Sequence, residues 1–107
     1  MSAKFAPLQL EVVTISGPFL KAMGVRWVKV ALADGIAIGI WPGHAPLLAE
    51  TVSAPLEYAD ARGVHEVLLR DGILHVEGGQ VTIYTTPEAV GVEGDKSSED
   101  DGDAAQT

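Results

Sequence analysis

Gly39-Ile40-Trp41-Pro42-Gly43-His44-Ala45-Pro46-Leu47-Leu48 decides the fold of this chain. Pro42 and Pro46 fix φ and remove two backbone donors, so neither Trp41-Pro42 nor Ala45-Pro46 continues a hydrogen-bonded ladder. Gly43 between them supplies a positive φ. The stretch therefore reads as a stiff double bend between two apolar strands, and a bend of that stiffness sets the angle between them.

Working outward, Asp34-Gly35 is a turn signal that separates Val25-Arg26-Trp27-Val28-Lys29-Val30-Ala31-Leu32 from Ile36-Ala37-Ile38-Gly39-Ile40. The first of these runs is expected as one strand. Val28, Val30 and Leu32 share one face, and Trp27 and Lys29 share the other. Upstream, Leu8, Leu10 and Val12 alternate with Gln9 and Glu11, and the apolar phase then slips by one at Val12-Val13, which predicts a β-bulge. Phe19 to Met23 is a weaker strand. After the bend, Leu47 and Leu48 lead through Ala49-Glu50-Thr51-Val52 to a strand around Leu56-Glu57-Tyr58, and further strands are expected over Val64 to Arg70, over Gly72 to Glu77 and over Gln80 to Thr86. Ala61-Arg62-Gly63 and Gly78-Gly79 serve as turns. Short strands with a turn every eight to twelve residues predict an all-β, antiparallel sandwich or barrel. No stretch before Pro87 shows a 3.6-residue apolar stripe.

At 107 residues the chain has the length of one domain, near the size at which an apolar core suffices without covalent staples. It has no cysteine, which excludes disulfides, a thiol nucleophile and Cys-based zinc sites. The formal net charge is −8, and a nucleic-acid partner would demand clustered Lys and Arg instead. That charge is unevenly placed. Residues 91–107 carry Glu93, Asp95, Glu99, Asp100, Asp101 and Asp103 against Lys96 alone, and this composition predicts a disordered acidic tail after a β-domain over residues 1–90. No segment approaches 18 uninterrupted apolar residues, and the N-terminus lacks a basic head followed by an apolar run. A soluble, unexported chain without membrane insertion is expected.

Chemistry is sparse. His44, His65 and His75 raise a metal site, with His65 and His75 on neighbouring expected strands where they could face each other, but no carboxylate flanks them at ligand spacing. There is no Gly-x-Ser-x-Gly elbow and no Gly-x-x-x-x-Gly-Lys phosphate loop, so neither catalysis nor a cofactor is expected. His44 has two readings, a switch titrating near neutrality or a ring that hydrogen-bonds locally and holds the bend. Trp27 also has two. It is either core or, as an aromatic on the polar phase of its strand, an anchor for a partner.

The bend closely resembles the corresponding motif of the epsilon subunit of F-type ATP synthases. Support comes from Leu10-Glu11-Val12-Val13-Thr14, from Gly72-Ile73-Leu74-His75-Val76 and from Val81-Thr82-Ile83-Tyr84, so the resemblance runs from about Leu8 to Glu88. It implies the N-terminal flattened β-sandwich of that subunit, with Trp41, Pro42, Gly43, His44 and Pro46 as its structural bend. It also implies a non-catalytic rotor role in the central stalk, peripheral to the cytoplasmic face of an energy-coupling membrane and coupling ion flow to ATP synthesis. The partners implied are the gamma subunit, the c-subunit ring and, indirectly, the catalytic head. Trp27 would face gamma, and the loop of Asp34, Gly35, Ile36, Ala37 and Ile38 would face the c-ring.

Two departures accompany the resemblance. The family commonly carries an acidic residue just before the Gly39-Ile40 position, whereas this chain has Gly35-Ile36-Ala37-Ile38, with Asp34 as a displaced substitute. Most members also continue into a C-terminal helical hairpin that inhibits hydrolysis and in some binds ATP, and residues 91–107 are too few and too polar to form it. Loss of both regulatory activities is expected. The alternative function is a free-standing protein-binding module that reused the epsilon sandwich.

Overall fold

The computed structural model describes residues 5–86 and the backbone pair Gly94–Asp95. Ten strands follow in order: β1 (Leu8–Thr14), β2 (Gly17–Val25), β3 (Trp27–Ala31), β4 (Ala37–Ile40), β5 (Leu47–Thr51), β6 (Ala54–Asp60), β7 (Gly63–Leu69), β8 (Gly72–Glu77), β9 (Gln80–Thr85) and β10 (Gly94–Asp95). They form two five-stranded sheets, β2-β1-β9-β8-β5 (sheet A) and β10-β7-β6-β3-β4 (sheet B). Among the described residues there is no helix, and the expected β-sandwich is what forms.

The core lies between the sheets, and the alternation read from the sequence explains how it is filled. Leu8, Leu10 and Val12 of β1, Leu74 and Val76 of β8, and Val81 and Ile83 of β9 point inward from sheet A, all buried. Sheet B answers with Val28, Val30, Ile40, Leu56, Tyr58, Val67 and Leu69. Each such aliphatic side chain taken from water contributes about 1.5–3 kcal/mol. A protein of this size without disulfides depends on that sum.

Pairing is antiparallel except between β1 and β9, which run parallel with Leu10 opposite Val81 and Val12 opposite Ile83. The bulge expected at Val12-Val13 is present. Val12 pairs with Leu20 and Val13 with Pro18, so Phe19 on β2 is the extra residue. The run Val25–Leu32 needs correction, because it is two strands rather than one. β2 ends at Val25 in sheet A, and the chain crosses at Arg26, whose amide donates to the Ala59 carbonyl at 2.7 Å, to begin β3 in sheet B. Val25 and Val28 are both fully buried. With a buried valine on each side of Arg26, the run carries no break in its apolar character to mark the corner at which it changes sheets.

Within the described run of residues 5–86, three other crossings join the sheets: the bend between β4 and β5, Val52-Ser53 between β5 and β6, and Arg70-Asp71 between β7 and β8. On one side the sandwich is nearly closed. Leu32 bridges Thr51, the Ala33 amide donates to the Glu50 carbonyl at 2.9 Å, and the Val52 amide donates to the Ala31 carbonyl at 3.2 Å. Of the expectation for residues 91–107, Gly94 and Asp95 pair with Glu66 and His65 of β7, and the remainder lies outside the described residues, as does the boundary set at residue 90.

Candidate functional site

The bend leaves β4 at Ile40 in sheet B and enters β5 at Leu47 in sheet A. Gly43 has φ 89°, the left-handed value that the two flanking prolines cannot supply. A turn is closed by the His44 amide donating to the Trp41 carbonyl at 3.0 Å. His44 Nδ1 stands 2.7 Å from the Ala45 carbonyl, so it is the proton-bearing nitrogen of that contact. The Phe5 ring lies over Gly43, where any Cβ would run into it. Phe5, Pro7, His44, Gly78, Gly79 and Gln80 line a cleft of about 430 Å³ beside the bend.

Trp41 is 56% exposed, and its ring lies back over Gly39, where a Cβ would collide with it. Trp27 is half-buried on the outer face of sheet B, in register with Ala59 of β6, and its ring centroid is 6.5 Å from that of Trp41. Ala59 is in turn opposite Val64. The result is a row of apolar side chains, Val64, Ala59, Trp27 and Trp41, across an outward face. The sequence contained a signal for the Trp27–Trp41 contact that was not used: Gly39 and Trp41 share a strand face, and a glycine two residues before an exposed aromatic leaves room for its ring.

The β3–β4 hairpin is firmly built. Gly35 has φ 87°. Its amide donates to the Leu32 carbonyl and the Leu32 amide to the Ile36 carbonyl, both at 2.9 Å, while the Ile36 amide donates to Asp34 Oδ1 at 2.9 Å. One carboxylate oxygen of Asp34 thus shapes the turn. Ile36, 61% exposed, is the large side chain at the tip, followed by exposed Ala37 and half-buried Ile38.

The outer face of sheet A carries a second apolar group that sequence reasoning missed. Leu48, 71% exposed, lies opposite His75, and Ile73 lies opposite Tyr84, with Pro46 and Leu47 completing a shallow groove beside Leu48. The available signal was the doublet Leu47-Leu48, in which two adjacent apolar residues must face opposite ways.

His65 and His75 do not face each other. His65 is on β7 in sheet B and His75 on β8 in sheet A, because the chain changes sheets at Arg70-Asp71. The metal reading rested on that pairing. Buried His65 instead places Nε2 2.9 Å from Asp60 Oδ1 and its ring 4.9 Å from Tyr58, while His75 Nε2 lies 3.3 Å from Glu77 Oε1 on the surface. Burial raises the Asp60 carboxyl, but the His65 hydrogen bond, the Arg62 amide and the charges of both residues outweigh it, holding Asp60 below its ordinary value. Among the described residues no group of three or more His, Cys, Asp or Glu side chains could hold a metal ion, and no helix is long and apolar enough to cross a membrane.

What the arrangement offers is a rigid scaffold with a stiff bend, a fixed hairpin tip and apolar outer faces. Among solved structures, one from the Euglena gracilis mitochondrial ATP synthase, described as OSCP/F1/c-ring in rotational state 1, is similar at 23% identity with a TM-score of 0.69. The match covers 77% of this chain and 52% of that one. Another, from the central stalk and c-ring of the Tetrahymena thermophila mitochondrial ATP synthase, is similar at 14% identity with a TM-score of 0.62, covering 89% of this chain and 71% of that one. The chain thus spans about half the length of the first relative, and at these identities the likeness concerns the fold. The decisive match is to a family model over residues 7–89, which takes in every strand from β1 to β9: the chain belongs to the family of the β-sandwich domain of the ATP synthase delta/epsilon chain.

Proposed function

We propose that the chain is a non-catalytic central-stalk subunit of an F-type ATP synthase, linking gamma to the c-ring and so coupling proton or sodium translocation to ATP synthesis. The observation that carries this reading is the family match across residues 7–89. The Trp27–Trp41 face of sheet B is the gamma-facing surface in this reading, since two large aromatics held together on an outward face are suited to anchoring a partner. The hairpin of Asp34, Gly35, Ile36, Ala37 and Ile38 faces the c-ring. With Asp34 engaged in its own turn, the contact there is made by apolar Ile36 rather than through a salt bridge. Residues 91–107, with six carboxylates and no apolar stripe, do not supply hairpin-based inhibition. The subunit sits peripherally on the cytoplasmic face of the membrane through the complex.

Co-purification of the full chain with its own gamma subunit tests this. Binding is expected, and Trp27→Ala should weaken it by about 2 kcal/mol or more, as loss of a buried aromatic anchor does. If the wild-type chain fails to bind gamma, the stalk reading falls and the free-standing binding module replaces it.

A further inference from the structure

The outer face of sheet A is laid out symmetrically about its middle strand. β9 lies at the centre of this sheet, with β8 and β5 on one side and β1 and β2 on the other. Strand register places three rows of residues across the face. Glu50, Ile73, Tyr84, Val13 and Pro18 form the first, and Leu48, His75, Thr82, Glu11 and Lys21 the second. The third is Glu77, Gln80 and Gln9. Residues that alternate with these along the three central strands, Leu10, Val12, Leu74, Val76, Val81 and Ile83, are buried in the core, which fixes the rows outward. Leu48, Ile73 and Tyr84 are the exposed large apolar side chains among them.

A two-fold axis laid along β9 exchanges the strands on its two sides and keeps each row in place. Ile73 of one chain then meets Val13 of the other, and Tyr84 meets its own copy. His75 meets Glu11, the aliphatic stem of Lys21 covers Leu48, and the Gln9 amide reaches Glu77. Thr82, small and buried on the axis, leaves room for the larger groups around it. Apolar groups meet apolar groups and no like charges come together, while Glu50 stays at the rim beside Pro18. An axis running across the strands along the His75 row would instead lay Glu11 on Glu11 and Lys21 on Lys21.

We infer that the outer face of sheet A is the contact of a symmetric dimer, in which the free chain packs face to face on a second copy of itself about a two-fold axis along β9. The occupant is a second copy because the two halves of the face complement each other, row by row, and an unrelated partner would require no such match between them. Five strands, with about six residues of each, span roughly 24 by 20 Å, at the lower limit of what a specific pair covers, so the dimer is weak and depends on concentration. The Trp27–Trp41 face lies on sheet B and stays open in both copies, so the dimer is independent of the stalk reading.

Sedimentation equilibrium of the full chain tests for the dimer, and cross-linking tests its axis. The wild-type mass should rise towards twice the monomer value with concentration, and Ile73→Lys, which sets a charge against Val13 at two symmetric places, should weaken association about tenfold or more. Because the chain has no cysteine, single cysteines report distance across the contact. A short bismaleimide should join the Tyr84→Cys chain to its own copy. It should not join the Leu48→Cys chain to itself, since the two β5 strands stand about 19 Å apart, four strand spacings, but it should join Leu48→Cys to Lys21→Cys when the two chains are mixed. The inference is overturned if the wild-type chain stays monomeric up to about 1 mM, a dissociation constant beyond which association has no specific content. It is equally overturned if Ile73→Lys leaves the dimer unchanged, or if Leu48→Cys links to itself as readily as Tyr84→Cys does.

Discussion

Asp71 Oδ1 accepts two hydrogen bonds from Ser53, one from its amide at 2.7 Å and one from its hydroxyl at 2.8 Å. Ser53 lies where the chain leaves sheet A for sheet B, and Asp71 where it returns. One carboxylate oxygen thus ties two opposite crossings together. Just behind it, the Thr85 hydroxyl lies within hydrogen-bonding distance of the Arg70 and Asp71 carbonyls, at 3.2 and 3.1 Å. In a chain without cysteine, this polar clasp holds one end of the sandwich.

Asp71→Ala is expected to remove both Ser53 bonds and lower stability by about 1 kcal/mol, the net worth of hydrogen bonds at an exposed site. For a domain of this size that is a fall in melting temperature of roughly 4–8 °C. Ser53→Ala should cost less, since its amide keeps its acceptor, and the double variant should cost less than the two singles added. Thermal denaturation of the four proteins measures this, and strict additivity would show that Ser53 and Asp71 act separately.

Asp60 sets the acid behaviour of the fold. Burial alone would raise its carboxyl, but the His65 hydrogen bond and the other contacts around it leave it below its ordinary 3.8 in the folded chain. A depressed folded value stabilises the fold above 3.8, and the contribution is lost as pH falls through the lower folded value. Asp60→Asn should therefore show a flatter decline in urea midpoint than wild type as pH drops below about 4. Identical acid limbs would mean that the Asp60–His65 pair does not carry this dependence.

At the bend, Gly43→Val is expected to cost about 1–2 kcal/mol, because a β-branched residue must adopt a left-handed φ. It would also push away the Phe5 ring. Gly39→Ala has a different signature. The new methyl meets the Trp41 ring, so the near-ultraviolet circular dichroism from the Trp27–Trp41 pair should change while far-ultraviolet strand content stays constant. Unchanged near-ultraviolet spectra would show that the rings are not packed as described.

Local chemistry made much of this fold legible. The Asp34-Gly35 and Gly78-Gly79 turns and the alternation of Leu8, Leu10 and Val12 each depend on neighbours in sequence, and each appears where it was expected; the register shift at Val12-Val13 is also present, but its extra residue is Phe19 on β2, and Ile15 is exposed instead of continuing the inward face. What escaped depends on which sheet a strand joins. Alternation places His65 and His75 on strands but says nothing of the crossing at Arg70-Asp71 that separates them. The corner at Arg26 was hidden because Val25 and Val28 are buried on either side of it. The Trp27–Trp41 contact and the Leu48–Tyr84 face follow from cross-strand register, which one strand's composition does not reveal. The roles of the candidate contact residues came from family resemblance, since neither hairpin tips nor exposed aromatics identify their own partners.

The parallel pairing of β1 with β9 also constrains the order of events during synthesis. β1 can form a local hairpin with β2 as soon as both have emerged, but its other edge waits for β9, the last strand of sheet A, with nearly the whole domain as the intervening loop. Contacts between such distant parts of a chain form late and slow the overall reaction. A nascent chain halted before Gln80 would therefore leave Leu10 and Val12 without the neighbours that cover them, and would depend on the ribosome surface or a chaperone to keep that strand from pairing elsewhere.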